Sequence, residues 1–480
     1  MNPSVPERSS QRTTYLVMIC LVAALGGLLF GYDTAVISGA IGFLQVHFHL
    51  TPALKGWAAA CALLGCVLGC LMAGVFSDFM GRKRTLLLAA FLFLVSAIGT
   101  ALPERFWVFV VFRILGGVGV GVASLASPMY IAEISPARIR GRMVSVNQFA
   151  IISGMLVIYF VNYAIVRPEN PAWNETNGWR WMFASGSIPA ALFLALVFLV
   201  PESPRWFFER GRRQSARQVL ERISPPEEAG LELAAIERSL GARGGSYSEL
   251  LRPGLRRAMW VGIALAILQQ VTGINVFLYY APEIFKQLGS RVDAALLQTI
   301  VVGAVNLLFT VGAIWTVDLL GRKPLMMVGA AGMGLCLAGM GVVAQAQMMA
   351  LGVLAFVLGY IAFFALSVGP VTWVILSEIY PTRIRGRAMS VATFFLWTAN
   401  FVVSQTFPMM DENAWLVRNF HHAFPFYLYA GFCVLLVLLV WRVVPETKGR
   451  TLEEIESDWL RAQTPPGLGT GRPAVPANPA

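Results

Sequence analysis

Twelve apolar runs, each long enough to cross a lipid bilayer as a helix, recur along the 480 residues of this chain. They lie at roughly 15–42, 56–77, 85–102, 107–129, 144–166, 180–200, 258–285, 296–317, 325–345, 349–376, 388–410 and 424–444. A hydrocarbon core about 30 Å thick takes about 20 apolar residues of helix. Inside lipid every backbone N–H and C=O needs a partner, so runs of this length are helices. Composition agrees: 57% of the residues are hydrophobic and 13% are charged, against about 25% charged in a soluble domain. That balance excludes a soluble enzyme, a disordered chain and a disulfide scaffold. The six cysteines all fall within apolar runs, where small packing residues are the natural reading. The expected fold class is an all-α membrane protein with twelve transmembrane helices.

The net charge is +11. In a soluble chain that would point to nucleic acid. Here the cations sit in short loops between the spans, so no nucleic-acid partner is expected. The loops after spans two, four, six, eight and ten hold Arg82-Lys83-Arg84, Arg138 with Arg140 and Arg142, a cluster from Arg205 to Arg257, Arg322-Lys323, and Arg383 with Arg385 and Arg387. The other loops hold few cations, such as Lys55, Arg105 and Arg167. The excess of Lys and Arg places the even loops and both termini in the cytoplasm. The first apolar run, from Tyr15, is long enough to span and is expected to be kept rather than cleaved as a signal. Only five of the 37 cations are lysine, which fits a GC-rich bacterial genome and a multi-pass inner (plasma) membrane protein.

Three motifs occur twice, 240 to 245 residues apart. Asp78-Phe79-Met80-Gly81-Arg82-Lys83 returns as Asp318-Leu319-Leu320-Gly321-Arg322-Lys323. Glu133-Ile134-Ser135-Pro136, followed by Arg138, Arg140 and Arg142, returns as Glu378-Ile379-Tyr380-Pro381, followed by Arg383, Arg385 and Arg387. Pro201-Glu202 returns as Pro445-Glu446. The chain is therefore read as a duplicated six-helix unit: a polar N-terminus over 1–14, bundles over 15–204 and 258–445, an intracellular linker of short amphipathic helices over 205–257, and a cytoplasmic tail over 446–480. Six spans per copy insert both copies the same way up, which makes a parallel repeat. Such repeats suit a transporter with its site between the halves.

Each half ends a span with an acid and follows it with cations. Glu133 with Arg140, and Glu378 with Arg385, can pair across the loops. Together with Asp78, Arg82, Asp318 and Arg322 they form a candidate cytoplasmic gate that latches the halves shut. Away from span ends, two ionisable residues remain: Asp33 in span one and Arg113 in span four. A charge within a bilayer is costly unless paired or wetted, and is a functional hypothesis by default. One acid and one base can pair inside the bundle, and protonation of Asp33 would release the pair. A polar cluster, Gln269-Gln270-Val271-Thr272-Gly273-Ile274-Asn275, interrupts span seven. Asn306 lies in span eight, and Trp373 follows a Gly369-Pro370 break in span ten. Amides donate and accept, so they can hold the hydroxyls of a polar solute, while an indole suits an apolar C–H face. Gly116-Gly117-Val118-Gly119-Val120-Gly121 lies inside a span with no strand before it, so it reads as close helix packing, not as a nucleotide loop.

The duplicated Asp-x-x-Gly-Arg-Lys motif resembles the major facilitator superfamily. Pro201-Glu202-Ser203-Pro204-Arg205 and Pro445-Glu446-Thr447-Lys448-Gly449-Arg450 resemble its sugar porter family. Gly31-Tyr32-Asp33-Thr34, the span-seven cluster and Gly369-Pro370-Val371-Thr372-Trp373 are similar to the bacterial D-xylose–proton symporters of that family. The resemblance covers roughly 15–459. It implies two six-helix bundles that rock about a central site, a small sugar as substrate and the proton as coupling ion. It implies no cofactor, no metal and no enzymatic activity, and a monomer embedded in lipid. It makes Asp33 the proton-coupling residue with Arg113 as its partner. It assigns sugar binding to Gln269, Gln270, Asn275, Asn306 and Trp373, with Phe30, Tyr279 and Trp397 as aromatic walls.

Three positions depart from the family pattern. A binding glutamine of span five is replaced by Met155, and one of span eleven by Leu396. Each loss removes an amide from the pocket. A buried hydroxyl left unpaired costs about 1–3 kcal/mol, so D-xylose is expected to bind less well here than in those relatives. A glutamate of span six, a further relay member, is replaced by Gly186. That change keeps an uncoupled facilitator open as an alternative. A receptor built on a transporter body is a remote third reading, since it would need a signalling segment.

Overall fold

The computed structural model describes residues 5–136, 138–241, 255–287, 289–346, 350–380 and 384–448. The described regular structure is helical, without strands. Eleven stretches are long and apolar enough to cross a membrane. The expected span eleven is a twelfth helix, Arg385–Asp411, of 27 residues. Asn400, Ser404, Gln405 and Thr406 dilute its hydropathy, but at about 1.5 Å per residue it is also long enough to span. The protein is thus a multi-pass, all-α membrane protein.

Some boundaries differ from the apolar runs. Span six was expected from residue 180 and starts at Pro171, because polar Asn174–Gly178 forms a single wide π-turn that continues the helix. The linker carries helices Pro204–Glu209, Arg213–Ile223 and Pro226–Gly241. In the second of these Ala216, Val219, Leu220 and Ile223 are buried, which is the one-sided spacing of a helix lying on a surface. The rest of the linker and the tail beyond Lys448 lie outside the described residues.

Small residues set the packing. A Cβ on Gly117 would lie 1.9 Å from the Ala62 carbonyl oxygen, and one on Gly65 would lie 2.1 Å from that of Ile114. Gly121 faces the Cys66 carbonyl in the same way at 2.3 Å. Spans two and four therefore touch backbone to backbone, as lipid-embedded helices do where side chains are absent. Gly31 and Gly154 repeat this between spans one and five. Two seams join the halves: span two against span eleven, and span five against span eight.

Span seven is broken twice, into Leu255–Val271, Ile274–Tyr279 and Ala281–Gln287. Gly273 adopts φ +94°, and a Cβ there would meet the Tyr429 ring at 2.6 Å. Only glycine satisfies both conditions. Span ten was expected to break at Gly369-Pro370. Instead Phe364–Val368 forms a π-turn that leads without interruption into Gly369–Glu378. Pro370 has no N–H and its ring crowds the preceding turn, and the wide turn relieves both.

Candidate functional site

Asp33 and Arg113 meet. Arg113 Nη1 lies 3.1 Å from Asp33 Oδ2 and also donates to the Asp33 carbonyl at 3.2 Å. The Arg113 side chain is 1% exposed and that of Asp33 is 13% exposed. The guanidinium also stacks 5.3 Å from the Phe183 ring centroid. Arg113 Nε has no hydrogen-bond acceptor, so Asp33 is the charge that keeps the cation tolerable in lipid. A small cavity of about 10 Å³ adjoins the carboxylate, lined by Leu29, Tyr32, Phe93, Ala97, Phe183 and Gly186 among others. That is about the room one water molecule needs. A Cβ on Gly186 would lie 3.3 Å from the Phe183 carbonyl oxygen, a tight contact, and 3.5 Å from the Ala97 Cβ.

The polar cluster of span seven is organised by the break at Gly273. Gln269 Nε2 donates to the Gly369 carbonyl at 3.1 Å and to that of Val368 at 3.4 Å, tying span seven to the distorted stretch of span ten. Its Oε1 is buried without a protein donor. Asn275 Nδ2 donates to Gln270 Oε1 at 2.6 Å. The three amides therefore retain the Gln269 acceptor, the Gln270 donor and the Asn275 acceptor for another molecule, a mixed set that matches hydroxyl groups. Breaking a helix frees carbonyls, and tyrosines absorb them: Tyr360 donates to Thr272 O at 3.0 Å and Tyr159 to Leu278 O at 2.9 Å. Nothing in the sequence spacing marked those two tyrosines.

The aromatic walls come from both halves. Phe30 of span one and Trp397 of span eleven lie 5.7 Å apart, centroid to centroid. Tyr279 is buried at the end of the middle piece of span seven, and Asn306 is buried in span eight. Trp373 is 39% exposed, so its indole is available at the surface of span ten. Met155 and Leu396 are both buried apolar side chains, and Met155 abuts Gly31, next to Phe30.

With this geometry in place, comparison with known proteins is decisive. The sequence model of the family described as sugar (and other) transporter matches residues 19–459. The chain belongs to the sugar transporter family. It is 47% identical to the D-xylose-proton symporter of Escherichia coli K12, over 93% of this chain and 96% of the relative. It is 41% identical to the arabinose-proton symporter of Bacillus subtilis, over 96% of this chain and 98% of that one. A solved structure of the inward-open conformation of the xylose transporter from E. coli superposes with a TM-score of 0.83 at 45% identity, covering 93% of this chain and all of the other. The fold is that of the major facilitator superfamily.

In this sugar transporter the repeated motifs assemble differently from the expected gate. The partner of Glu133 is Arg82, not Arg140: two parallel bonds of 2.8 and 2.9 Å join Arg82 Nε and Nη2 to the carboxylate. Arg140 instead donates to the Ser135 carbonyl at 3.4 Å. Glu378 is held by Arg322 at 3.1 Å, while Arg385 donates to Tyr380 O at 3.4 Å. Asp78 stands 3.7 Å from Arg82; the side chain of Asp318 lies outside the described residues. The ion pairs described on this basic face each join residues of one half or its linker. They brace the spans of a half and do not cross to the other half. The reason is reach: Arg82 follows the turn at Gly81, with φ +95°, and its side chain lies against Glu133 of span four.

The third motif completes each cluster. Glu202 accepts from Arg82 N at 2.9 Å and Lys83 N at 3.1 Å, capping the N-terminus of span three. Glu446 does the same for span nine through Arg322 N at 3.1 Å and Lys323 N at 3.0 Å. A carboxylate there meets free N–H groups and the positive end of the helix dipole. Burial pushes the Glu202 carboxyl above its ordinary range against those bonds. Burial opposes charge on Glu446 too, but the backbone donors of Lys448, Lys323, Arg322 and Thr447 outweigh it and hold its carboxyl below the ordinary range.

On the opposite face His422 Nδ1 lies 3.0 Å from Asp411 Oδ1. The bond to Asp411 raises the imidazole above its ordinary 6.5 despite partial burial. A raised pKa stabilises the fold fully below the unfolded value and loses that contribution as pH rises through the folded one. The melting temperature is therefore expected to fall as pH rises above the ordinary imidazole value of about 6.5, and His422→Gln should flatten that slope. An unchanged slope in the variant would show that the pair is energetically silent.

Proposed function

We propose that this protein imports a monosaccharide, a pentose or hexose of the D-xylose type, together with a proton by alternating access. The observation that carries the reading is the buried Asp33–Arg113 pair, together with the Phe30–Trp397 contact that joins the two halves. The sugar binds between the halves while the site faces outward. Asp33 takes a proton, which frees Arg113 from its counter-charge, and the halves rock. Sugar and proton leave on the basic face, taken as cytoplasmic, with both termini on that side. One proton falling through about 100 mV supplies about 2.3 kcal/mol, enough for roughly 50-fold accumulation. The protein acts as a monomer in the inner membrane, needs no cofactor, and takes Asn306, Trp373 and Tyr279 as further contacts of the sugar.

The specific sugar follows from the polarity of the walls. Met155 and Leu396 put apolar surface where an amide would meet a hydroxyl, so the favoured substrate presents fewer hydroxyls to spans five and eleven than D-xylose does. The test is purified protein in liposomes, with pentoses, hexoses and polyols added one at a time and internal pH followed. Acidification of the lumen with one compound identifies the substrate and coupling together. Silence across a panel in which a labelled sugar still enters overturns symport. A second reading, an uncoupled facilitator, has one observation in its favour: Gly186 leaves a water-sized cavity beside Asp33. Sugar entry without any proton flux would select it.

The amide set makes its own prediction. Gln270→Ala removes the donor offered to the sugar and releases Asn275 from its partner. Losing a buried hydrogen bond to a ligand costs about 1–3 kcal/mol, so affinity should fall about 5- to 150-fold. Quenching of tryptophan fluorescence by the sugar identified above measures it. Unchanged affinity would remove Gln270 from the site.

A further inference from the structure

The face opposite the basic loops holds a buried cation whose carboxylate partners belong to the other half of the molecule. Lys55 lies in the first turn of span two, and its side chain is 5% exposed. Its Nζ is 2.8 Å from Glu412 Oε1 and 3.5 Å from Glu283 Oε2. Glu412 follows span eleven, and Glu283 lies in the last piece of span seven. Lys286 pairs with Glu283, so two cations and two acids balance. Two amide side chains also donate across the seam. Gln45 of span one donates to Glu412 at 3.4 Å, and Gln405 of span eleven donates to the Ala53 carbonyl at 2.9 Å. The backbones are close here: a Cβ on Gly56 would lie 2.3 Å from the Gln405 carbonyl oxygen.

This face therefore closes with charge, whereas the described ion pairs of the basic face stay within a half. The overall shape agrees, since it superposes on an inward-open transporter. A buried ammonium is tolerable only while its carboxylates stay in place. Opening this face must pull Lys55 away from both acids and let water in to replace them. Removing Lys55 takes from Glu412 its cation, and removing Glu412 leaves Lys55 only Glu283, which Lys286 already neutralises; either change favours the open, wet arrangement.

We propose that Lys55, Glu412 and Glu283 form an ionic latch that closes this face, the outer one in the orientation above, and sets how often the transporter opens outward. The proposal rests on the alternating-access reading but is measured without substrate. Backbone hydrogen exchange of the full chain in lipid nanodiscs reads both faces at once. In Lys55→Met, segments 45–57 and 404–423 should exchange about tenfold faster, while segments 78–84 and 318–323 on the basic face slow down. Glu412→Gln should give the same pattern. The two together should do no more than either alone, because each breaks one shared interaction. An unchanged pattern overturns the latch, as does acceleration on both faces, which is general loosening. Additive effects overturn it as well. If Lys55→Met fails to fold, Glu412→Gln and its salt dependence carry the test: the latch requires faster exchange on this face alone. A null result here with proton flux intact would refute the latch and leave the transport reading standing; the reverse result would do the opposite.

Discussion

Liposomes carrying Asp33→Asn are expected to exchange labelled sugar across the membrane at close to the parental rate and to accumulate none against a gradient. Asn keeps the shape of Asp and can still accept from Arg113 Nη1, now 3.1 Å from Asp33 Oδ2. It cannot take up or release a proton. The pair is thereby held permanently in its uncharged-partner form, the form that allows both loaded states to interconvert. The roughly 50-fold accumulation that one proton supports at about 100 mV should fall to unity. A variant that still concentrates sugar would dismiss Asp33 as the coupling site.

The second large effect concerns folding. Gly117→Val is expected to remove most of the folded protein. Its first carbon would sit 1.9 Å from the Ala62 carbonyl oxygen, a backbone atom that cannot rotate away. Spans two and four would have to separate by more than an ångström, losing their contact over several turns. Overpacking commonly costs about 1–3 kcal/mol, and this clash is with backbone on a helix that also carries Arg113. Gly74→Val on span two is the matched control, because nothing lies within 4 Å of its added carbon. Fluorescence-detected size exclusion of the two variants checks the claim. Equal, monodisperse peaks would show that the close approach of the two spans is dispensable.

Legibility of the site followed the range of the forces involved. Asp33 and Arg113 stood out because lipid makes any charge expensive, and their pairing followed from there being one of each sign. Gly273 was legible for a similar reason: a glycine amid Gln and Asn in an otherwise apolar run signals a broken helix. The partners of Glu133 and Glu378 were not legible. Arg140 is nearer in sequence, but Arg82 arrives from 51 residues away with both guanidinium nitrogens aligned. Lys55 read as one of the few cations on its side, with no hint of Glu412, 357 residues distant.

Sequence alone determined the helical class, the apolar runs that span, the repeated motifs and the buried charges. Each of these is a sum of local transfer energies or a repeated string, independent of where distant residues lie. Tertiary structure decided which acid holds which base, that the described ion pairs of the basic face stay within a half, and that Lys55 meets acids of the other half on the opposite face. Those outcomes depend on distances of about 3 Å between residues far apart in the chain, and ion pairs are strong only at such distances when water is excluded.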